Sequence, residues 1–119
     1  MTSSAQIALA ERLQISEREG AIVAEILEKY LAGRAVWAFG SRATGKRVKR
    51  FSDLDLAVAG RLTWEERTAV SEAFDDSLLS FKVDVVELDL VDADFRQRIE
   101  KDFVLLQETS NQTQPSERG

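Results

Sequence analysis

A chain of 119 residues has the size of one folded domain, and 44% hydrophobic with 31% charged residues is the composition of an ordinary globular protein. It contains no cysteine and no histidine, which excludes disulfides, thiolate nucleophiles, zinc sites of the cysteine/histidine kind and histidine-based catalytic triads. A net charge of -5 excludes a wholly basic surface, so we expect no direct nucleic-acid partner.

The missing residue types also limit the chemistry that remains. Any metal must be held by oxygen ligands, which favours magnesium, calcium or manganese, and any general base must be a carboxylate, a lysine or a tyrosine. No stretch approaches the roughly 20 apolar residues that cross a bilayer, and the N-terminus lacks the basic and apolar blocks of a secretory signal. We therefore expect a cytoplasmic protein without membrane contact.

Hydrophobic periodicity alternates along the chain between helical and strand patterns. The first 14 residues indicate a short helix. In chain order the other predicted elements are a helix over 17–32, a strand over 35–39, a polar basic loop over 41–52, a strand over 53–59, a helix over 64–79, a strand over 82–88, a helix over 91–101 and an edge strand over 103–106.

Capping boxes mark the helix starts, at Ser3–Gln6, Ser16–Glu19 and Thr63–Glu66. The order of elements predicts an α/β (α+β) domain in which helices pack on one small mixed sheet. We place a single domain at residues 1–107. Residues 108–119 lack apolar side chains and are predicted to form a disordered tail.

Five of the sixteen basic residues fall within nine positions: Arg42, Lys46, Arg47, Lys49 and Arg50. On an acidic protein, a local positive patch of this kind indicates an anionic ligand. The same composition is typical of a solvated loop, and charge alone does not separate the two interpretations.

Asp53 and Asp55 interrupt an apolar strand. Residues two apart on a strand share a face, so these carboxylates are expected side by side, about 6–7 Å apart between Cα atoms, while Leu54 and Leu56 face the core. Like charges at that spacing repel, and a divalent cation between them would relieve the repulsion. The alternative is an exposed strand start with Asp53 as a turn or capping residue.

A third aspartate, Asp84, lies among valines in a later strand that otherwise looks buried. If the two strands are neighbours, Asp84 joins Asp53 and Asp55, and three carboxylates suffice to hold two magnesium ions with help from a substrate phosphate. The alternative is a solvent-exposed sheet face. Glu87 is expected on the opposite face and is a weaker candidate.

Gly40 and Ser41 end the first predicted strand. Glycine lets the backbone turn tightly and approach a ligand closely, Ser41 offers a hydroxyl and an N–H to a phosphate, and Arg42 and Lys46 lie in range to add charge. Alone, this pair is more typical of an ordinary turn. It is not a P-loop, because Arg47 stands where the magnesium-binding Ser or Thr would be.

The combination is more specific than its parts. The stretches GSRATGK…SDLDLAV and VDVVEL resemble the nucleotidyltransferase superfamily related to DNA polymerase beta, and most of all the small bacterial minimal nucleotidyltransferases of the MntA antitoxin type. The resemblance covers roughly residues 17–107, with a basic loop one residue longer than is usual in the family. The residues that match the family's signature are Gly40, Ser41, Asp53, Asp55 and, as third carboxylate, Asp84.

The resemblance implies a polymerase beta-like fold and transfer of AMP from ATP with two magnesium ions (Mg2+). Asp53 and Asp55 would bind both ions. Asp84 would bind the second ion and accept the proton of the attacking hydroxyl. Gly40 and Ser41 would hold the triphosphate.

A chain this short has little surface left to grip an acceptor, so we expect a partner to supply it. The resemblance points to a HEPN-family RNase toxin of the HepT type, with AMP transferred to a tyrosine. The chain would then be its antitoxin.

Two other interpretations remain open. A non-catalytic antitoxin would neutralise its toxin by complex formation, through Trp37 or exposed apolar helix faces. A small-molecule nucleotidyltransferase of the aminoglycoside-modifying type would instead act on amino-alcohol acceptors.

Overall fold

The structure is a computed structural model that describes residues 10–46, 48 and 52–109. Residues 10–13 are helical. The elements that follow are α1 (Glu17–Tyr30), β1 (Val36–Phe39), α2 (Ser41–Thr44), β2 (Leu54–Val58), α3 (Trp64–Asp75), β3 (Val83–Glu87), α4 (Ala93–Glu100) and β4 (Val104–Gln107).

The four strands form one sheet in the order β3-β2-β1-β4. β1 runs antiparallel to both β2 and β4, whereas β2 and β3 are parallel. Parallel neighbours need a crossover connection, and α3 provides it between β2 and β3. The predicted α/β domain with a small mixed sheet is therefore confirmed.

The two longer helices begin at capping boxes. Ser16 Oγ accepts a hydrogen bond from the Glu19 N–H at 3.0 Å, and the Glu19 carboxylate accepts one from the Ser16 N–H at 3.2 Å. Thr63 and Glu66 form the same reciprocal pair before α3. Both boxes satisfy N–H groups that a helix start leaves without intrahelical partners, as the sequence predicted. The box at Ser3–Gln6 lies outside the described residues.

The sheet has two covered faces. On the α1/α3 face, Leu54 and Leu56 are fully buried against helix residues such as Leu27 and Phe74. On the α4 face, Phe39 and Ala57 form a separate cluster with Ile99 and the half-buried Phe95. Each fully buried leucine stabilises the fold by roughly 1.5–3 kcal/mol relative to an exposed one. The alternation along β2 therefore turns Asp55 toward the α4 face.

Several predicted boundaries were wrong. The loop predicted over 41–52 begins with the one-turn helix α2, which ends at Gly45 in the left-handed conformation with φ 75°. α3 stops at Asp75 rather than at 79, because the Ser77 hydroxyl donates to the Phe74 carbonyl at 2.6 Å and offers the backbone an alternative to the helix.

Two other predictions concern the C-terminal tail and membrane-spanning helices. The tail predicted over 108–119 lies outside the described residues from 110 onward. Within residues 10–46, 48 and 52–109, no helix combines the length and the apolar character needed to cross a bilayer.

Candidate active site

Asp55 and Asp84 are register partners across the parallel strands β2 and β3. Neighbouring strands lie about 4.8 Å apart, so the two residues are direct neighbours on the sheet. Both follow a residue of the α1/α3 core, Leu54 and Val83, and so share the α4 face. Asp55 is half-buried and Asp84 is exposed. The structure thus brings together two of the three carboxylates that the sequence singled out.

Asp53 comes one residue before β2 and is exposed. It lies two residues from Asp55 and acts on it electrostatically. In the part of the chain that the structure describes, no three acidic side chains are already gathered closely enough to hold a metal ion. The assignment of all three aspartates as metal ligands therefore stays a prediction.

The ionised form of the Asp55 carboxyl is disfavoured in this position. Burial raises the pKa of its carboxyl to about 6, with further contributions from the negative charges of Asp84 and Asp53. A bound divalent cation would reverse this preference, because it favours the ionised form of every carboxylate around it. Hard oxygen donors are also the ligands that magnesium prefers. The donor set therefore suits a magnesium ion.

Gly40 packs directly against the Asp55 carboxylate. Its φ is 81°, and a Cβ atom at this position would lie 2.6 Å from Asp55 Oδ2. Backbone conformation and close approach both require glycine here. In the antiparallel register of β1 and β2, the preceding residue Phe39 is the partner of Asp55. The Gly40–Ser41 turn consequently lies against Asp55, which is itself paired with Asp84.

Ser41 is the first residue of α2 and is half-buried. A helix start leaves its first N–H groups without intrahelical partners, so the backbone beside Ser41 can donate to an anion. Lys46 is exposed after Gly45, and its N–H donates to Thr44 Oγ1 at 3.2 Å. The basic residues at 47, 49 and 50 lie outside the described residues. The predicted phosphate contacts of Ser41 and Lys46 stay predictions.

Arg42 has contacts that the sequence did not indicate. The side chain is 2% exposed and donates to backbone carbonyls: Nε to Ser52 at 2.8 Å, and Nη1 to Gln14 at 3.0 Å and Leu13 at 3.4 Å. Burial lowers the pKa of its guanidinium, and the charge of Glu19 opposes this. These contacts are with the protein itself, whereas the sequence placed Arg42 near a phosphate.

A family comparison identifies the fold around this site. The model of the polymerase beta nucleotidyltransferase family matches residues 22–112. The chain belongs to this family. The nucleotidyltransferase is also 42% identical, over 110 residues, to the probable protein adenylyltransferase MntA of Haemophilus influenzae; the match covers 91% of this chain and 90% of the relative.

Solved structures share the nucleotidyltransferase fold. A toxin–antitoxin crystal structure with AMP-PNP aligns with a TM-score of 0.61 at 21% identity, covering 76% of this chain and 74% of that one. A mutant of the MntA–HpeT toxin–antitoxin pair aligns with a TM-score of 0.57 at 20% identity, covering 75% and 72%. At such identities the likeness concerns the fold alone. The resemblance stated from the sequence is confirmed, and the chain is a nucleotidyltransferase.

Proposed function

We propose that this nucleotidyltransferase is a magnesium-dependent antitoxin that transfers AMP from ATP to a tyrosine hydroxyl of a HEPN-family toxin. The observation that carries the proposal is the pairing of Asp55 with Asp84 beside the Gly40–Ser41 turn. This arrangement sets acidic oxygens next to a turn able to approach an anion closely. A nucleoside triphosphate with magnesium carries the complementary groups for both.

Asp53, Asp55 and Asp84 would hold the magnesium ions. When bound, magnesium neutralises phosphate charge and lowers the pKa of the attacking hydroxyl. Ser41 and the adjacent backbone N–H groups would orient the triphosphate. Asp84, exposed at the edge strand β3, would accept the hydroxyl proton of an acceptor that approaches from solvent. Pyrophosphate leaves as the bond from the α-phosphorus to the acceptor oxygen forms.

The identity of the acceptor is inferred from the relatives of this chain and not from the residues of the site. The 42% identical relative is named a probable protein adenylyltransferase, which favours a protein acceptor over a small molecule. The structural relatives are toxin–antitoxin assemblies, which favours a toxin of the HepT type as that protein. A cytoplasmic location follows from an intracellular RNase target.

Intact-mass measurement of the partner tests the proposal. The protein encoded beside this chain is incubated with ATP, magnesium and the chain, and then weighed. We expect a gain of one or more AMP units with the wild type and none with Asp55→Asn. Asp89→Asn, the same charge change at an exposed residue after β3, should retain transfer. If the partner stays unmodified and is neutralised equally by the wild type and by Asp55→Asn, AMP transfer is refuted. Neutralisation by complex formation then explains the result.

A further inference from the structure

Arg42 links the Gly40–Ser41 turn to the start of β2. It is the second residue of α2, and its Nε donates to the Ser52 carbonyl at 2.8 Å. Ser52 directly precedes Asp53, and the carbonyl of one residue shares a rigid plane with the N–H of the next. The contact with Arg42 therefore fixes the peptide plane from which Asp53 begins.

The other side of Asp53 is also held. The Leu54 N–H donates to the Lys82 carbonyl at 2.9 Å, which attaches the first residue of β2 to the chain entering β3. Asp53 thus lies between two restrained peptide groups although its own side chain is exposed. Of these two restraints, only the one through Arg42 connects the backbone beside Asp53 to α2, the helix that begins with Ser41.

The guanidinium of Arg42 is also held by groups other than Ser52. Its Nη1 donates to the carbonyls of Leu13 and Gln14, and its carbon lies 4.4 Å from the centre of the Phe81 ring. Leu13 is fully buried in the core, so the backbone carbonyls that accept from Nη1 are held in place by core packing. Residues 13 and 14 precede the region matched by the family model, which begins at residue 22.

We propose that Arg42 is a positioning residue that sets Asp53 relative to Ser41, with residues 13 and 14 as its anchor. The inference rests on the proposed function for its catalytic meaning. It replaces the phosphate contact that the sequence suggested, because Nε and Nη1 of Arg42 donate to carbonyls of the protein. The planar guanidinium donates from Nε and Nη1 at fixed angles, and the single ammonium group of lysine cannot reproduce this geometry.

Two variants and one matched control test the inference. Arg42→Lys keeps the positive charge and Arg42→Gln removes it. Gln107→Ala is the control, because Gln107 Nε2 also donates to two backbone carbonyls, those of Leu31 and Arg34, at 2.8 and 3.0 Å. Gln107 pairs with Val36 at the start of β1, whereas the site lies beyond the end of that strand.

The first readout is amide hydrogen exchange of a peptide covering residues 52–56 in the protein without metal or nucleotide. We expect both Arg42 variants to exchange faster there than the wild type, and Gln107→Ala to match the wild type. The second readout is the magnesium concentration for half-maximal AMP transfer, expected to rise about 10- to 100-fold in both Arg42 variants, as when a partner that orients a metal ligand is lost.

The outcomes separate the two claims. Wild-type exchange over residues 52–56 in both variants would overturn the positioning role. The positioning role would also be overturned if Arg42→Lys kept the wild-type magnesium requirement and Arg42→Gln raised only the KM for ATP. That pair of results is expected when the positive charge of Arg42 contacts a phosphate. A wild type that transfers no AMP would refute the proposed function, and the exchange measurement would still decide the role of Arg42.

Discussion

A Cβ atom on Gly40 would lie 2.6 Å from Oδ2 of Asp55. Real Cβ atoms do not approach other atoms so closely, and the φ of 81° at Gly40 is a conformation that other residues rarely adopt. The turn that begins α2 and the carboxylate on β2 are therefore packed at a spacing that only glycine permits. Any larger side chain at this position must displace Asp55 or the turn.

Gly40→Ala should abolish AMP transfer and destabilise the fold. The positive φ alone costs about 1–2 kcal/mol for an alanine, and the contact with Asp55 adds to it. Gly60→Ala is a close control, because Gly60 has a φ of 80° but, among residues 10–46, 48 and 52–109, its added Cβ would meet only Arg34 Nη1 at 3.8 Å. We expect the free energy of unfolding of Gly60→Ala, measured by urea denaturation, to fall by a similar amount because of its backbone conformation. Its rate of AMP transfer should stay at the wild-type value. Equal loss of activity in both variants would contradict the account.

Asp55→Asn should stabilise the protein at pH 8 and not at pH 4. The pKa of Asp55 is about 6 in the folded protein, against its ordinary value of 3.8. Between these values the native state binds more protons than the unfolded state, so the contribution of Asp55 to stability falls as the pH rises. With allowance for solvent screening, the gain at pH 8 is about 1–2 kcal/mol. Urea denaturation at both pH values checks it, and a gain of equal size at both would be inconsistent with the raised pKa.

Asp84→Asn should remove much of the stabilisation by magnesium. Without metal at pH 8, the variant should melt at a temperature equal to or above that of the wild type, because one of the two charges opposing Asp55 is gone. An ion that binds only the native state raises the melting temperature, and loss of one ligand reduces this rise. Thermal melts with and without magnesium measure both effects, with Asp89→Asn as the charge-matched control. A full magnesium response in Asp84→Asn would exclude Asp84 as a ligand.

Glu87→Ala should destabilise the fold without a specific effect on transfer. The Glu87 carboxylate accepts the Leu62 N–H at 2.6 Å and lies 3.3 Å from Arg67 Nε, on the face of β3 opposite Asp84. Its loss leaves a buried N–H unsatisfied, at a cost of about 1–3 kcal/mol. Glu87→Gln, which keeps an acceptor, should cost less. Transfer assayed below the melting temperature of each variant should match the wild type.

The sequence predicted the orientation of the aspartates, but it predicted their pairing only on the condition that the two strands are neighbours. Strand alternation suffices to place Leu54 in the core and Asp55 on the opposite face, and the structure has both residues so. The pairing of Asp55 with Asp84 depends on the register of β2 against β3. That register joins two strands separated in sequence by α3, and no local pattern along the chain encodes it.

The composition of the basic stretch does not distinguish buried from exposed cations. Arg42 and Lys46 are alike in sequence, as cations near a glycine, yet Arg42 is buried on backbone carbonyls and Lys46 is exposed. Burial of an arginine depends on segments distant in sequence, here the carbonyl of Gln14. The helix α2 was missed because four residues are too few to display a helical period.

Label transfer from ATP tests the central claim most directly. The partner is incubated with the chain, magnesium and ATP labelled at either the α- or the γ-phosphate, and label bound to the partner is counted. AMP transfer predicts that only the α-label reaches the partner, in amounts equal to the pyrophosphate released, and that Asp55→Asn abolishes it. Label from the γ-phosphate on the partner, or none from either position, would contradict the account.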